Sequence, residues 1–566
     1  MLNYKLKYKK EKIGTTLNNF EKWKMGRFRF PQFSIKGEKM KKKLILISMI
    51  VVQVLLIIYI ASDRVHLHMD EYLSFEFSTS QNMYIYDKED FYNTLHDSEY
   101  YSEYLEVNEG EQNQFSQVYE NQVKDVHPPL YYLLLKVFCN FNVDNFSIWP
   151  GIALNIILYI ISIFVLYLIG LKIFKNDKKM SLLLCFVAGF NIGVLQIAVY
   201  IRMYQLLILA TLLLLYWHLC KKDKEKLEIK DCIQLILIVC MGFLTQYYFA
   251  VIAVGFYIVH FIRNIKKKKF KEIFIYTIAL ILAVLICTAV FPYWISHVLE
   301  SGRGKEASAN LTKRFSYVDI VFSRFISMFN DAGFNGFLIG IGAILVLFFI
   351  CMVIKQRKKT IEIVKEALNE NVGISYILFS GIFYFVLVSF MAPYIEIRYM
   401  SPIIIFAIML GMYYLKILLE NSYFNKNEAF IILTLIFLVG TLVGFLNINE
   451  NIFSFRNDEY SMSKIQNESD KKLIFIINSE KFEIYNSFEA LLEYKNSIMI
   501  KNTENLAEDI IKILNDNNIK EDECVIGISK SIYEEVKDKL LVENKFKNME
   551  LDFVFGYNAF MTLKEK

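Results

Sequence analysis

The chain has 566 residues, of which 55% are hydrophobic and 16% aromatic, with 63 Lys and Arg against 58 Asp and Glu and a formal net charge of +5. That composition excludes an ordinary soluble globule and fits a polytopic membrane protein. Eight cysteines without a CxxC or Cys/His ligand spacing support neither a disulfide framework nor a zinc site.

Residues 1–43 carry fourteen Lys and Arg against three Glu, ending in Lys39, Lys41, Lys42 and Lys43 before an apolar run. The excess of cations predicts a cytoplasmic amino terminus. With Trp23, Phe28, Phe30 and Phe33 among its charges, this arm suits anionic headgroups better than nucleic acid. A secretory signal would have a much shorter basic region. Leu44 to Ala61 is long enough to cross a bilayer and reads as a retained anchor.

The loop 62–128 holds fifteen acidic against three basic side chains, a net charge of −12, and cannot lie in hydrocarbon. It is bounded by HMDEYLS and VHPPLYY. Further apolar segments follow at 148–174, 181–200, 203–219, 231–246, 247–262, 273–294, 337–354, 374–392, 401–418 and 429–446, while 130–141 is apolar but short. The connecting runs at 172, 221, 263 and 355 are basic and read as cytoplasmic. The fold class that results is a polytopic α-helical membrane protein of about 11–13 transmembrane helices. Loops 62–128 and 295–336 then lie on the outer face, where Pro128, Pro129, Pro292, Pro393 and Pro402 mark ends of spans.

Residues 44–446 make up the transmembrane part, and from 447 to 566 the chain turns polar. Short apolar runs at 471–478, 496–500 and 523–529 read as buried strands, and 483–494, 503–515 and 531–540 as helices. With a terminal strand pair turned at 556–558, they predict an extracytoplasmic α/β domain.

Several residues invite chemistry. Asp70 and Glu71 sit just past the first span on an interfacial helix, where a carboxylate could serve as general base; two solvated loop acids are the plain alternative. His127 precedes two prolines at headgroup level, positioned for a lipid phosphate or for a helix-start turn alone. Arg202, between two spans with Tyr200 and Tyr204 beside it, is expensive there and calls for an anionic partner. Glu396, Arg398 and Tyr399 lie in a short external turn where Glu396 and Arg398 could satisfy each other. His297, Arg303, Lys305, Lys313 and Arg314 make loop 295–336 locally basic.

DE after the first span, HPPLYYLLL opening the next apolar segment and RMY between later spans resemble the GT-C superfamily of membrane glycosyltransferases. These use polyprenyl-phosphate-linked sugars and include the protein O-mannosyltransferases and lipid A aminoarabinose transferases. The resemblance implies transfer of a sugar from a polyprenyl phosphate to an acceptor hydroxyl on the outer face, with inversion. It makes Asp70 the general base and Glu71 its orienting neighbour. His127, Arg202, Tyr204, Arg398 and Tyr399 would bind the donor phosphate. The implied partners are a lipid-linked sugar donor and the membrane, with no nucleic acid. No cofactor is assigned, and divalent cation use stays open because no acids are diagnostically spaced. The Lys, Ile and Asn bias hints at an AT-rich bacterial genome and hence undecaprenyl phosphate. A transporter or flippase is the alternative, disfavoured by the lack of repeated halves and by charges gathered on one face.

Overall fold

The structure, a computed structural model, describes residues 33–81, 83–222, 224, 226–334, 336–347, 349–350, 371–421, 424–446, 459–478, 481–542 and 548–564. Most of the basic arm and part of the predicted span 337–354 lie outside them. The chain divides into two units, residues 1–52 and residues 53–566. In the first, residues 33–52 are helical, as part of the Phe33–Ser62 helix.

Eight described helices are long and apolar enough to cross a bilayer, or up to ten if each of two bent pairs is one span. One pair, Lys178–Gly189 with Ile192–Val199, bends by 60°. The break has a local cause, since Asn191 caps the second helix by accepting from the Val194 N–H at 3.1 Å. Upstream, Asp177 caps the first by accepting from the Lys179 and Met180 N–H groups. The segment predicted at 231–246 is the fifteen-residue helix Ile229–Phe243, about 22 Å long against a hydrocarbon thickness of about 30 Å. That shortfall accounts for one of the spans by which the eight to ten among the described residues fall short of the eleven to thirteen predicted. Residues 130–141 form the short helix Leu130–Cys139, which starts directly after Pro128 and Pro129.

Large apolar side chains stay exposed along the Phe270–Val290 helix, among them Phe274, Ile281 and Leu285. In a membrane protein that surface meets lipid. The inner helices Tyr204–Lys221 and Ser401–Glu420 are mostly buried by their neighbours.

Beyond the bundle lies one six-stranded sheet in the order β1-β3-β2-β4-β6-β5. Its strands are β1 Leu95–Asp97, β2 Lys472–Ile477, β3 Asn496–Lys501, β4 Cys524–Ser529, β5 Asn548–Phe555 and β6 Asn558–Lys564. The central strands β3, β2 and β4 run parallel. They are buried along nearly their whole length, which is why their sequences are continuously apolar. A turn at Gly556, with φ of +57°, joins β5 and β6 as a hairpin. Ile474, Ile498, Ile510 and Ile526 belong to one apolar cluster under the sheet.

The edge strand β1 comes from loop 62–128 and pairs antiparallel with β3. The acidic loop is thus woven into the carboxyl-terminal sheet, with Phe91 and Tyr101 fully buried.

Candidate functional site

The helix Met69–Thr79 starts on two reciprocal contacts. His68 Nδ1 accepts from the Asp70 N–H at 3.1 Å, and the Glu71 carboxylate accepts from the His68 N–H at 2.9 Å. This is the capping-box arrangement, with histidine in the place usual for serine or threonine. Glu71 also accepts from the Ile201 N–H at 2.9 Å and pairs with both terminal nitrogens of Arg64. Its carboxylate is fully buried and spent on anchoring the helix to the 199–202 turn.

Asp70 points the other way. Arg398 Nη1 lies 2.9 Å from its Oδ2 and Arg202 Nη2 lies 3.9 Å from its Oδ1. Tyr200 OH donates to Oδ2 at 2.9 Å while accepting from Arg398 Nη1 at 2.8 Å. Arg202 is held in turn by donating to the Asp70 carbonyl at 3.0 Å and to Ser74 Oγ at 3.1 Å. Burial alone would raise the Asp70 pKa, but the guanidiniums of Arg202 and Arg398 hold it well below the usual carboxylate range. About a fifth of the side chain stays exposed, at 18%.

That exposure opens into a cavity of about 540 Å³. Asp70, His127, Arg202, Tyr204, Arg398 and Tyr399 all line it, so residues read from four separate stretches meet at one place. Glu71 does not line it. Asp70 is the sole carboxylate among the described lining residues, and Tyr247, Tyr248, Trp294 and Met391 make the rest of the wall largely aromatic and apolar. Such a wall with a few convergent polar groups suits an organic ligand bearing an anion.

His127 Nδ1 sits 2.7 Å from Asp125 Oδ2, which leaves the other ring nitrogen for the cavity. The His127 charge and hydrogen bond hold Asp125 below its ordinary value against burial. Arg303, on the Gly302–Arg314 helix, donates to Tyr394 OH at 3.2 Å, and both residues line the cavity. Glu396 reaches Arg398 Nε at 3.1 Å, so the contact predicted within that turn coexists with Arg398 facing Asp70.

Sequence reading missed Asp125, Tyr247 and Trp294 as lining or supporting groups. Asp125 had a signal in its place two residues before His127; Tyr247 and Trp294 had none beyond lying at helix ends. Among the described residues no group of three or more His, Cys, Asp or Glu could hold a metal ion.

Residues 126–294 match the family model described as dolichyl-phosphate-mannose-protein mannosyltransferase. Two solved structures are similar, both of ArnT from Cupriavidus metallidurans, one bound to undecaprenyl phosphate and one in the apo state. The first has 11% identity and a TM-score of 0.46, the second 10% and 0.48; each comparison covers 91% of this chain and 97% of the other. Likeness at that level transfers no ligand. No curated protein sequence matches significantly. Over the stretch that supplies His127, Arg202, Tyr204 and Trp294, the chain is thus similar to the family of lipid-phosphate-sugar glycosyltransferases that its HPPLYY and RMY motifs resemble.

Proposed function

We propose that the protein transfers a sugar from a polyprenyl phosphate, undecaprenyl phosphate in the reading drawn from composition, to an acceptor hydroxyl on the outer face of the membrane. The observation that carries this reading is one carboxylate, Asp70, set between two arginines in an aromatic-walled cavity.

In this mechanism the acceptor oxygen attacks the anomeric carbon while Asp70 takes its proton. The bond from that carbon to the phosphate oxygen breaks, and its electron pair leaves with the phosphate. The phosphate charge grows from about −1 to −2, and Arg202 and Arg398 stabilise that growth. A single displacement inverts the anomeric centre and needs no second carboxylate, unlike the paired acids of glycosidases. His127, braced by Asp125, adds a hydrogen bond to the phosphate.

The two arginines also set the timing. Without donor they pair with Asp70 and depress its pKa, which makes it a weak base. A bound phosphate draws on the same guanidiniums and raises Asp70 toward a useful basicity. Donor binding therefore prepares the base.

The test is to incubate the full chain in lipid nanodiscs with labelled polyprenyl-phosphate sugars and cell-envelope acceptors. Label transfer that disappears in Asp70→Asn supports the reading. No transfer from any donor by a correctly folded protein contradicts it.

A further inference from the structure

The helix that presents Asp70 contains Tyr72-Leu73-Ser74-Phe75-Glu76, and the helix Lys481–Glu493 contains Tyr485-Asn486-Ser487-Phe488-Glu489. Both segments read YxSFE. On a helix the Tyr and Glu of such a segment, four apart, lie on one face.

The two segments bind each other reciprocally. Tyr485 OH donates to Glu76 Oε2 at 2.6 Å, and Tyr72 OH donates to Glu489 Oε2. The pairing of 72 with 489 and 76 with 485 runs antiparallel, so each Tyr meets the other's Glu. Main-chain donors complete both carboxyls, from the Ile85 N–H to Glu76 at 3.0 Å and from the Leu67 N–H to Glu489 at 3.4 Å. Phe488 packs on Tyr72 with ring centroids 5.3 Å apart. Tyr72, Glu76, Tyr485 and Phe488 are buried.

The middle of the first segment reaches the candidate site itself. Ser74 Oγ donates to the Asp70 carbonyl at 2.9 Å and accepts from Arg202 Nη1 at 3.1 Å. Any shift of this helix therefore moves Asp70 and Arg202 together. Its start is anchored on the membrane-spanning part through Glu71, and Tyr72 and Glu76 are gripped by the carboxyl-terminal domain.

We propose that the paired YxSFE segments are a lock through which the carboxyl-terminal α/β domain positions Asp70 and Arg202, with Tyr72, Glu76, Tyr485 and Glu489 as positioning residues. This rests on the reading of Asp70 as the base. The strand β1, drawn from the same loop into the domain's sheet, is a second tie between them. The domain is then part of the site's frame and not an appendage.

The test uses the full chain in nanodiscs with Tyr485→Phe, Glu489→Leu and the conservative Glu489→Gln, which keeps an acceptor for Tyr72. Two quantities are read: amide hydrogen exchange over residues 69–79, and kcat and donor KM for sugar transfer. Tyr485→Phe and Glu489→Leu speed exchange over 69–79 without changing the spans. They lower kcat about tenfold, as misplacement of a reacting group does, and raise donor KM several-fold because Arg202 moves with Asp70. Glu489→Gln recovers most of kcat. Exchange unchanged in Tyr485→Phe and Glu489→Leu overturns the lock, and so does full kcat despite faster exchange. Failure of the base reading looks different: Asp70→Asn then transfers sugar normally, whatever the exchange shows.

Discussion

Arg398 Nη1 stands 2.9 Å from Asp70 Oδ2, and the Tyr200 hydroxyl bridges the same two groups. A carboxylate from the loop 62–128 and a guanidinium from a turn late in the chain thereby share one buried contact. Replacing either partner removes the nearest counter-charge of the other, leaving Asp70 with Arg202 or Arg398 with Glu396, and the expected consequences differ by side.

Asp70→Asn removes the base and takes one acid partner from each arginine, leaving Arg398 with Glu396. Sugar transfer falls by about 10²–10⁴-fold, the usual contribution of a positioned base. Polyprenyl phosphate binds at least as tightly as to the wild type, because the phosphate no longer competes with a carboxylate. Transfer assays alongside equilibrium binding of the lipid phosphate check both halves.

Arg398→Ala acts on binding and on pH dependence. Loss of one buried charge partner costs about 2–5 kcal/mol, so donor affinity falls by at least about tenfold, and Arg398→Lys, lacking the planar fork, restores little. Asp70 must be ionised to act, and its pKa is depressed in the wild type. Activity of the free enzyme is therefore lost only as pH falls through a value below the usual carboxylate range. In Arg398→Ala that acid limb moves to higher pH, as a kcat/KM profile will record.

Glu76 gives the fold a pH dependence of opposite sense. Burial raises its pKa to about 8, against the hydrogen bonds from Tyr485 and the Ile85 N–H and with Asp87 nearby as a like charge. The folded state then binds a proton more tightly than the unfolded chain. That stability is fully present below the unfolded value of 4.5 and is lost as pH rises through about 8. Glu489, raised to about 7 by burial, with Tyr72, the Leu67 N–H, Glu493 and Arg64 around it, adds to the same trend. The Tm of the wild type decreases from pH 5 to pH 9 by about a few degrees. In Glu76→Gln the decrease is smaller.

Gly255 packs where the Phe249–Lys266 and Val372–Met391 helices touch, and a Cβ there would lie 3.0 Å from the Ser380 Cα. Gly255→Val must push two backbones apart, at a cost of about 1–3 kcal/mol. The expected result is a lower Tm with donor affinity unchanged, measured on the same preparation.

Much of this was legible in the residues. Buried parallel strands read as apolar runs, so 471–478, 496–500 and 523–529 stood out, and β2, β3 and β4 lie within one residue of them. Arg202 and Arg398 drew attention because an arginine is costly at a membrane boundary unless paired, Asp70 as a carboxylate just past the first span, and His127 for its place before two prolines at headgroup level. What the chain did not announce was who pairs with whom. Glu71 and Asp70 are adjacent and alike in composition, yet helix geometry turns one toward Arg64 and the other toward the cavity. The strand β1 is three residues long with His and Asp in it, too short and polar to signal an edge strand. The repeated YxSFE is visible by eye, but only contact across more than 400 residues of sequence gives it meaning.

The most direct test of the account is the anomeric configuration of the transferred sugar, read by nuclear magnetic resonance on the product of a defined polyprenyl-phosphate donor. With Asp70 as the sole carboxylate in the described cavity wall, the account predicts a linkage inverted relative to the donor and no product from Asp70→Asn. A product that retains the donor's configuration would require a covalent intermediate or a second catalytic group, and would contradict it.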